Sequence, residues 1–272
     1  MMAPLEQAAA PGAAARTIDL NADLGEGYGP WRMGDDEAML DLVTSASVAC
    51  GGHASDPETM FRTLTRARER GVVVGAHPGY PDREGFGRRR LPYTPAEVER
   101  FVAAQVGALV GIGGLAGVRV AYVKPHGALG NLAAEDRPTA EAIARAVAAF
   151  GGLAVLAIAG TELERAARDR GLAVFGEVFA DRGYTPEGLL VPRSRPDAMI
   201  EDAGFAAERL LRFLETGRMP TVAGGEVPLA AVSVCIHGDG PHAVAMARHV
   251  RGALERAGVA VRPFLAPAPA RP

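Results

Sequence analysis

The chain reads as a parallel α/β barrel in a single domain, and three observations lead there. Short apolar stretches of strand length alternate with helical patterns from Thr17 onward. That alternation builds a parallel sheet with crossover helices, either closed or open and doubly wound. Nearly every strand stretch then ends in a polar, glycine-containing cluster: Asp23-Leu24-Gly25-Glu26-Gly27, Gly51-Gly52-His53, His77-Pro78-Gly79, Lys124-Pro125-His126-Gly127, Asp181-Arg182-Gly183 and His237-Gly238-Asp239-Gly240. An open sheet gathers ligands at one switch point, whereas every loop that follows a barrel strand reaches the same mouth. Six clusters therefore favour closure. No linker-like composition interrupts the middle. One barrel is expected over 16–265, with Ala/Pro-rich tails at 1–15 and 266–272 expected to be disordered.

The first strand is expected over Thr17–Ala22. Alternate strand residues share a face, so Asp19, Asn21 and Asp23 point one way and Ile18, Leu20 and Ala22 the other. Two acids and an amide on one face of a buried strand are costly unless paired, hydrated or used. Glu26 follows between Gly25 and Gly27, which permit a tight turn. Taken alone, the stretch reads equally well as a solvated turn. A short helix is expected over Asp35–Val43 and a strand over Ser45–Cys50. Asp56-Pro57 supplies an N-cap acid and a first-turn proline for a helix that Gly71 stops. The third strand covers Val72–Ala76, and Thr94-Pro95-Ala96-Glu97 is a capping box opening a helix to Val110.

Further strands are expected over Arg119–Val123, Leu153–Ala159, Ala173–Phe179 and Ala231–Ile236. Helices over Pro138–Phe150, Thr161–Arg170 and Asp197–Glu215 lie between them. Thr185–Pro196 reads as irregular and Pro220–Leu229 as ambiguous. Pro241 opens a last helix to Ala257, and Val259–Leu265 has the pattern of a final strand.

A 272-residue chain that is 48% hydrophobic and 22% charged can bury a large core. Its net charge of −3 gives no electrostatic case for nucleic acid or an anionic membrane. No run of about twenty apolar residues predicts a membrane span. The start lacks the basic and apolar regions of a secretory signal, so the cytoplasm is the expected address. Cys50 and Cys235 form no CxxC pair. Among the 29 basic residues only Lys124 is a lysine. A lysine that survives so strong an arginine bias marks a place where a compact ammonium is wanted.

The polar residues expected at the mouth are Asp19, Asn21, Asp23, Glu26, His53, His77, Lys124, His126, Glu177, Asp181, Arg182, His237 and Asp239. One strand-end histidine is ordinarily structural, but four of the six histidines follow strands directly. Two chemistries fit such a set. In metal-free hydrolysis a carboxylate or histidine activates water and Lys124 or a protonated histidine stabilises an oxyanion. In metal-assisted hydrolysis acids and histidines, foremost Asp23, His53 and His126, hold an ion. No HExxH, GxSxG or GxxxxGK[ST] motif occurs. Arg88–Arg90 reads as a solvated loop with the means to dock an anion or a partner.

The motifs Asp19-Leu-Asn-Ala-Asp-Leu-Gly-Glu-Gly27, Ala49-Cys-Gly-Gly-His53, Gly75-Ala-His-Pro-Gly79, Tyr122-Val-Lys-Pro-His-Gly-Ala-Leu129, Glu177-Val-Phe-Ala-Asp-Arg-Gly-Tyr184 and Cys235-Ile-His-Gly-Asp239 resemble the LamB/YcsF family. The resemblance runs in order from about Thr17 to Phe264. It implies a distorted, seven-stranded (β/α) TIM-like barrel of the glycoside hydrolase/deacetylase type. It also implies a component of bacterial ATP-dependent 5-oxoprolinase, cleaving 5-oxo-L-proline to L-glutamate as ATP goes to ADP and phosphate. ATP would be the co-substrate, with Mg2+ accompanying it, and 5-oxoprolinase subunits B and C would be the partners; a homo-oligomer stays open. The matching positions make Asp23, Glu26, His53, Lys124 and His126 the expected catalytic group. Asp19, Asn21, His77, Glu177, Asp181, Arg182 and His237 are expected to bind substrate around it. Two positions depart from the family pattern. Gly52 and Gly130 stand where an aromatic residue is usual, and each is expected to remove an aromatic wall from the mouth. Two rival readings remain, a metal-dependent deacetylase-like hydrolase and a non-catalytic scaffold subunit.

Overall fold

The computed structural model describes residues 16–240 and 242–266. Both expected tails, apart from Ala266, and the expected helix start at Pro241 lie outside the described residues. The chain folds through β1 (Thr17–Leu24), α1 (Asp36–Leu40), β2 (Ser45–Ala49), α2 (Pro57–Glu69), β3 (Val73–His77), α3 (Pro95–Ala116), β4 (Val120–Val123), α4 (Gly127–Glu135) and α5 (Arg137–Ala148). It continues through β5 (Ala154–Ile158), α6 (Glu162–Asp169), β6 (Val174–Phe179), α7 (Ala203–Thr216), the hairpin β7 (Arg218–Pro220) and β8 (Glu226–Pro228), β9 (Ser233–Cys235), α8 (Ala243–Arg256) and β10 (Ala260–Val261).

Strands β1, β2, β3, β4, β5, β6 and β9 pair in that order, all parallel, and β9 pairs back onto β1 to close the barrel. The expected seven-stranded barrel is therefore the one that forms. β10 adds beside the first residues of β1, below its pairing with β9. The helices bury the outer strand faces, with Leu20, Val48, Val74, Val123, Val155, Val178 and Val234 in the main core.

The strand period of two sorts the interior into layers. Tyr122 and Leu156 form a separate apolar cluster with Val73 and Ala154, against which Phe175 and Phe264 pack. Above it, on the β1–β2–β9 side, the interior is polar and buried: Asp19, Asn21, Ser45, Ser47 and Ser233. Tyr122 joins the two halves, because its hydroxyl shares a 3.1 Å hydrogen bond with Ser47 Oγ. Gly75 makes room for that ring, since a Cβ there would meet it at 2.2 Å.

Several elements differ from expectation, and the last strand is only Ala260–Val261. β1 runs to Leu24, which carries Asp23 within the strand. α4 starts directly after the turn at His126, where Gly127 and Gly130 lower helix propensity and hide the helix from a sequence reading. α3 continues past Gly111, Gly113 and Gly114 to Ala116 and stops only at Gly117, whose φ is +68°. Gly113 lets that turn approach the Val118 carbonyl closely. α3 is long and apolar enough to cross a membrane by length and composition. It lies along the barrel instead, with Val98, Val102, Val106 and Leu109 buried. α7 starts at Ala203 because Asp202, not Asp197, accepts the capping N–H, from Phe205.

Gly75→Ala should therefore displace the Tyr122 ring and lower unfolding stability by about 1–3 kcal/mol, the usual penalty of an overpacked core. Urea denaturation of the two proteins measures it, and equal midpoints would contradict the packing described.

Candidate active site

The floor of the mouth is one buried cation among acids. Lys124, just past β4, donates from Nζ to Asp23 Oδ1 at 2.9 Å, Asn21 Oδ1 at 3.0 Å and Cys235 Sγ at 3.0 Å. Glu177 Oε2 lies 3.0 Å away. Asn21 is oriented from its other end, where its amide N–H donates to Ser233 Oγ at 2.7 Å and to Glu177 Oε2 at 3.3 Å. Burial works against the Lys124 ammonium, but the surrounding charges, Asp23 first, outweigh it and hold its pKa well above the usual value. Burial likewise pushes Asp23 toward neutrality, yet His77 and Lys124 hold its carboxyl well below the usual range. Glu177 goes the other way: burial raises it despite Lys124.

Beside the floor stand three histidines and an acid. Glu26, His53, His77 and His126 bring one ligand atom each within 4.8 Å of one another. His53 Nε2 lies 2.9 Å from Glu26 Oε1, and His126 Nδ1 lies 3.3 Å from the same oxygen. The His53 and His126 rings stack at 3.6 Å, whereas His77 and His126 stand edge to face at 85°. Backbone carbonyls fix two tautomers, because a carbonyl can only accept. His77 Nδ1–H donates to Lys124 O at 2.7 Å and His126 Nε2–H to Phe86 O at 2.8 Å. Phe86 holds its carbonyl there from a backbone φ of +54°, a conformation that non-glycine residues rarely adopt. Burial pushes His53 and His126 well below the ordinary histidine value, and the neighbouring histidines add to it. Glu26 is pushed up to about 8 by burial and then by the Asp23 charge.

The rim is cationic. His237 Nδ1 lies 2.7 Å from Asp181 Oδ2, and burial's upward pull on Asp181 is outweighed by His237, so the acid stays below its usual value. Arg182 donates to the carbonyls of Val191 and Ala198, and its burial lowers it to about 10. Arg88 reaches Asp239 across the mouth at 2.5 Å. Among the described residues Arg193 forms no salt bridge, and the one hydrogen bond of its side chain goes to Met199 Sδ. A cavity of about 360 Å³ opens onto Asp23, His77, Lys124, His126, Glu177, Arg182, Arg193 and His237. An acidic floor with one ammonium, an imidazole wall and an arginine rim suits a small anionic substrate at a hydrolysable carbonyl.

Residues 18–268 match the LamB/YcsF family. The chain belongs to the LamB/YcsF family. A Gluconobacter oxydans relative, named as the A subunit of 5-oxoprolinase, is 53% identical over 249 residues, covering 91% of this chain and 98% of its own. A Nocardia farcinica protein of the same name is also 53% identical, over 91% and 99%. The solved structure of a lactam utilization protein from Thermus thermophilus superposes with a TM-score of 0.86 at 46% identity, covering 91% of this chain and all of that one. A peptidoglycan N-acetylglucosamine deacetylase catalytic domain from Eubacterium rectale shares the fold, with a TM-score of 0.50 at 11% identity over 96% and 97% of the two chains.

Within this LamB/YcsF barrel the expected residues divide into layers. Asp23, Lys124, His126, His77, Glu177, Arg182 and His237 border the cavity. Glu26 and His53 are buried and do not line it; they pack against the histidine wall from behind. Asp19 sits below the floor, where Thr44, Ser45 and Ser233 donate to it, and Asn21 and Asp181 act through Lys124 and His237. Of the set Asp23, His53 and His126, the two histidines converge with Glu26 and His77, and Asp23 stands beside them with Oδ1 on Lys124 and Oδ2 3.3 Å from His77 Nε2.

The two glycines that depart from the family pattern are also explained. At Gly52 the space of a side chain is taken by the Gln105 amide, which bonds both the N–H and the C=O of Gly79. At Gly130 a Cβ would meet the Pro125 carbonyl at 2.6 Å. Gly52 thus leaves no hole, because a helix side chain fills it. Sequence reading missed Arg193, Phe86 and Gln105. Arg193 and Phe86 lie in loops and Gln105 in the middle of α3, and neither Phe86 nor Gln105 displays the backbone contact it makes.

Lys124→Met should lower unfolding stability by about 3–5 kcal/mol, because it strands buried carboxylates without their cation. Adding Asp23→Asn should recover part of the loss. Chemical denaturation of the three proteins checks both, and an undiminished single variant would contradict the charged floor.

Proposed function

We propose that this chain is the A subunit of an ATP-dependent 5-oxoprolinase, the component in whose mouth the lactam ring of 5-oxo-L-proline opens to L-glutamate. The observation that carries the reading is the buried Lys124 ammonium on the floor of a cavity of about 360 Å³ with Arg182 and Arg193 at its rim. Full-length relatives of about 50% identity bear that enzyme's name, and a solved relative is described as a lactam utilization protein.

A five-membered lactam resists water because amide resonance leaves its carbon weakly electrophilic. Transfer of the ATP γ-phosphoryl group to the lactam oxygen releases ADP and turns that oxygen into a leaving group. One water then adds to the activated carbon and the C–N bond opens to the free amine. A second water releases phosphate, which completes the balance to glutamate, ADP and phosphate. With no nucleotide loop in this chain, subunits B and C supply the phosphoryl step, with Mg2+ on the nucleotide. The residues here take the hydrolytic step. Asp23, held charged with Oδ1 on Lys124, borders the cavity and accepts the proton of the attacking water. Lys124 stabilises the developing oxyanion. Arg193 at the rim receives the substrate carboxylate.

Glutamate release from 5-oxoproline and ATP tests this with the chain alone, the two companion subunits alone, and all three. Only the full set should turn over. Full turnover by the isolated chain would overturn the division of labour, and none from the full set would overturn the reading. In the assembled enzyme Asp23→Asn should lower kcat by about 10²–10⁴-fold without dissolving the complex. Arg193→Ala should raise KM for 5-oxoproline roughly tenfold with little change in kcat, the effect of one lost charge-assisted contact. A kcat loss at unchanged KM would count against the carboxylate assignment.

A further inference from the structure

We propose that Glu26, His77 and His126 hold one divalent transition-metal ion, Zn2+ or a close analogue, at the inner edge of the mouth. The argument begins with hydrogens. His77 uses its Nδ1–H on the Lys124 carbonyl, and His126 uses its Nε2–H on the Phe86 carbonyl. In the neutral rings both remaining nitrogens carry lone pairs. Those nitrogens, His77 Nε2 and His126 Nδ1, face each other at 3.1 Å, and Glu26 Oε1 lies 3.3 Å from the second. Three donor atoms aimed at one another call for a positive occupant between them, a metal ion or a proton.

The spacing suits an ion. Two donors each about 2.0–2.1 Å from a tetrahedral zinc stand roughly 3.3–3.4 Å apart. The outer contacts suit it too. Metal-binding histidines usually donate their second ring N–H to a carbonyl or carboxylate, which fixes the ring and its tautomer. Both rings here are anchored in that way. His53 is excluded as a ligand although it is in the cluster. Its ring lies parallel to His126 at 3.6 Å, and one ion cannot lie in both ring planes, whereas the edge-to-face pair His77 and His126 can share one. His53 instead steadies Glu26 from behind.

Two histidines and a glutamate with a position left open is a donor set of catalytic zinc sites. His77 and His126 also line the cavity, so the donor set borders it. When bound, such an ion polarises a carbonyl or acidifies water. The competing occupant is a proton on His77, shared between His126 and Asp23 Oδ2 at 3.3 Å.

Metal binding separates the two and is read without turnover, so its outcome does not depend on the proposed lactam chemistry. Chelator-stripped full-length protein is titrated with Zn2+ by calorimetry, and its metal content is measured after dialysis. One ion per chain is expected. Affinity should fall at least about 100-fold in His77→Gln and in His126→Gln, and should be unchanged in His249→Gln on α8. Circular dichroism checks that the variants are folded. If they are not, long-range 1H–15N spectra of the wild-type imidazoles decide. One equivalent of Zn2+ should shift His77 Nε2 and His126 Nδ1 among the six histidines. No bound ion, equal affinity in folded variants, or shifts confined to other histidines would overturn the site and leave the proton as its occupant.

Discussion

A single ammonium group, Lys124, buried among Asp23, Glu177 and Asn21, is the interaction on which the site depends. Taking that charge out of water is expensive, and only close, well-directed partners compensate for it. The barrel supplies them from separate strands: β1 gives Asn21 and Asp23, β6 gives Glu177, and the end of β4 gives the lysine itself. None of these groups is tolerable where it stands without the others. The local sequence of β1, with a polar residue at every second position, makes sense only because the closed sheet brings its partners round to meet it.

The same closure divides the interior into an apolar half and a polar half. Tyr122, Leu156, Val73 and Ala154 plug the lower end, while serines and acids from β1, β2 and β9 occupy the opposite wall. Asp19 belongs to this wall. It accepts hydrogen bonds from three hydroxyls and is raised above its ordinary pKa by burial, which those bonds partly offset. Such a layer does not border the cavity. It gives Asn21 a fixed amide direction through Ser233, and Asn21 gives Lys124 its position. Positioning thus passes upward through the barrel, one strand repeat at a time, to the atoms that border the cavity.

Much of this was legible in the sequence because strand ends announce themselves. The alternation of apolar stretches with helical patterns, and the polar cluster after each strand, led to the barrel and brought Asp23, Lys124, His77 and His126 to one mouth. What stayed hidden has a common physical cause. The separation of Glu26 and His53 from the cavity depends on side-chain direction in three dimensions. Phe86 acts through its carbonyl and Gln105 through the backbone of Gly79, and a residue letter says nothing of either. α4 escaped notice because packing overrides the weak helix propensity of Gly127 and Gly130. Gly52 illustrates the converse error, where a missing side chain looked like a missing wall until Gln105 proved to fill it.

Because Lys124 is the one lysine in the chain, its charge is open to direct observation. Protein labelled with 15N at lysine Nζ has a single side-chain signal to follow against pH. The charged floor predicts one ammonium resonance, slow to exchange its hydrogens and still charged at about pH 10, where an ordinary lysine has begun to titrate. An amine resonance near neutral pH, or a freely exchanging ammonium typical of solvent, would contradict the account at its centre.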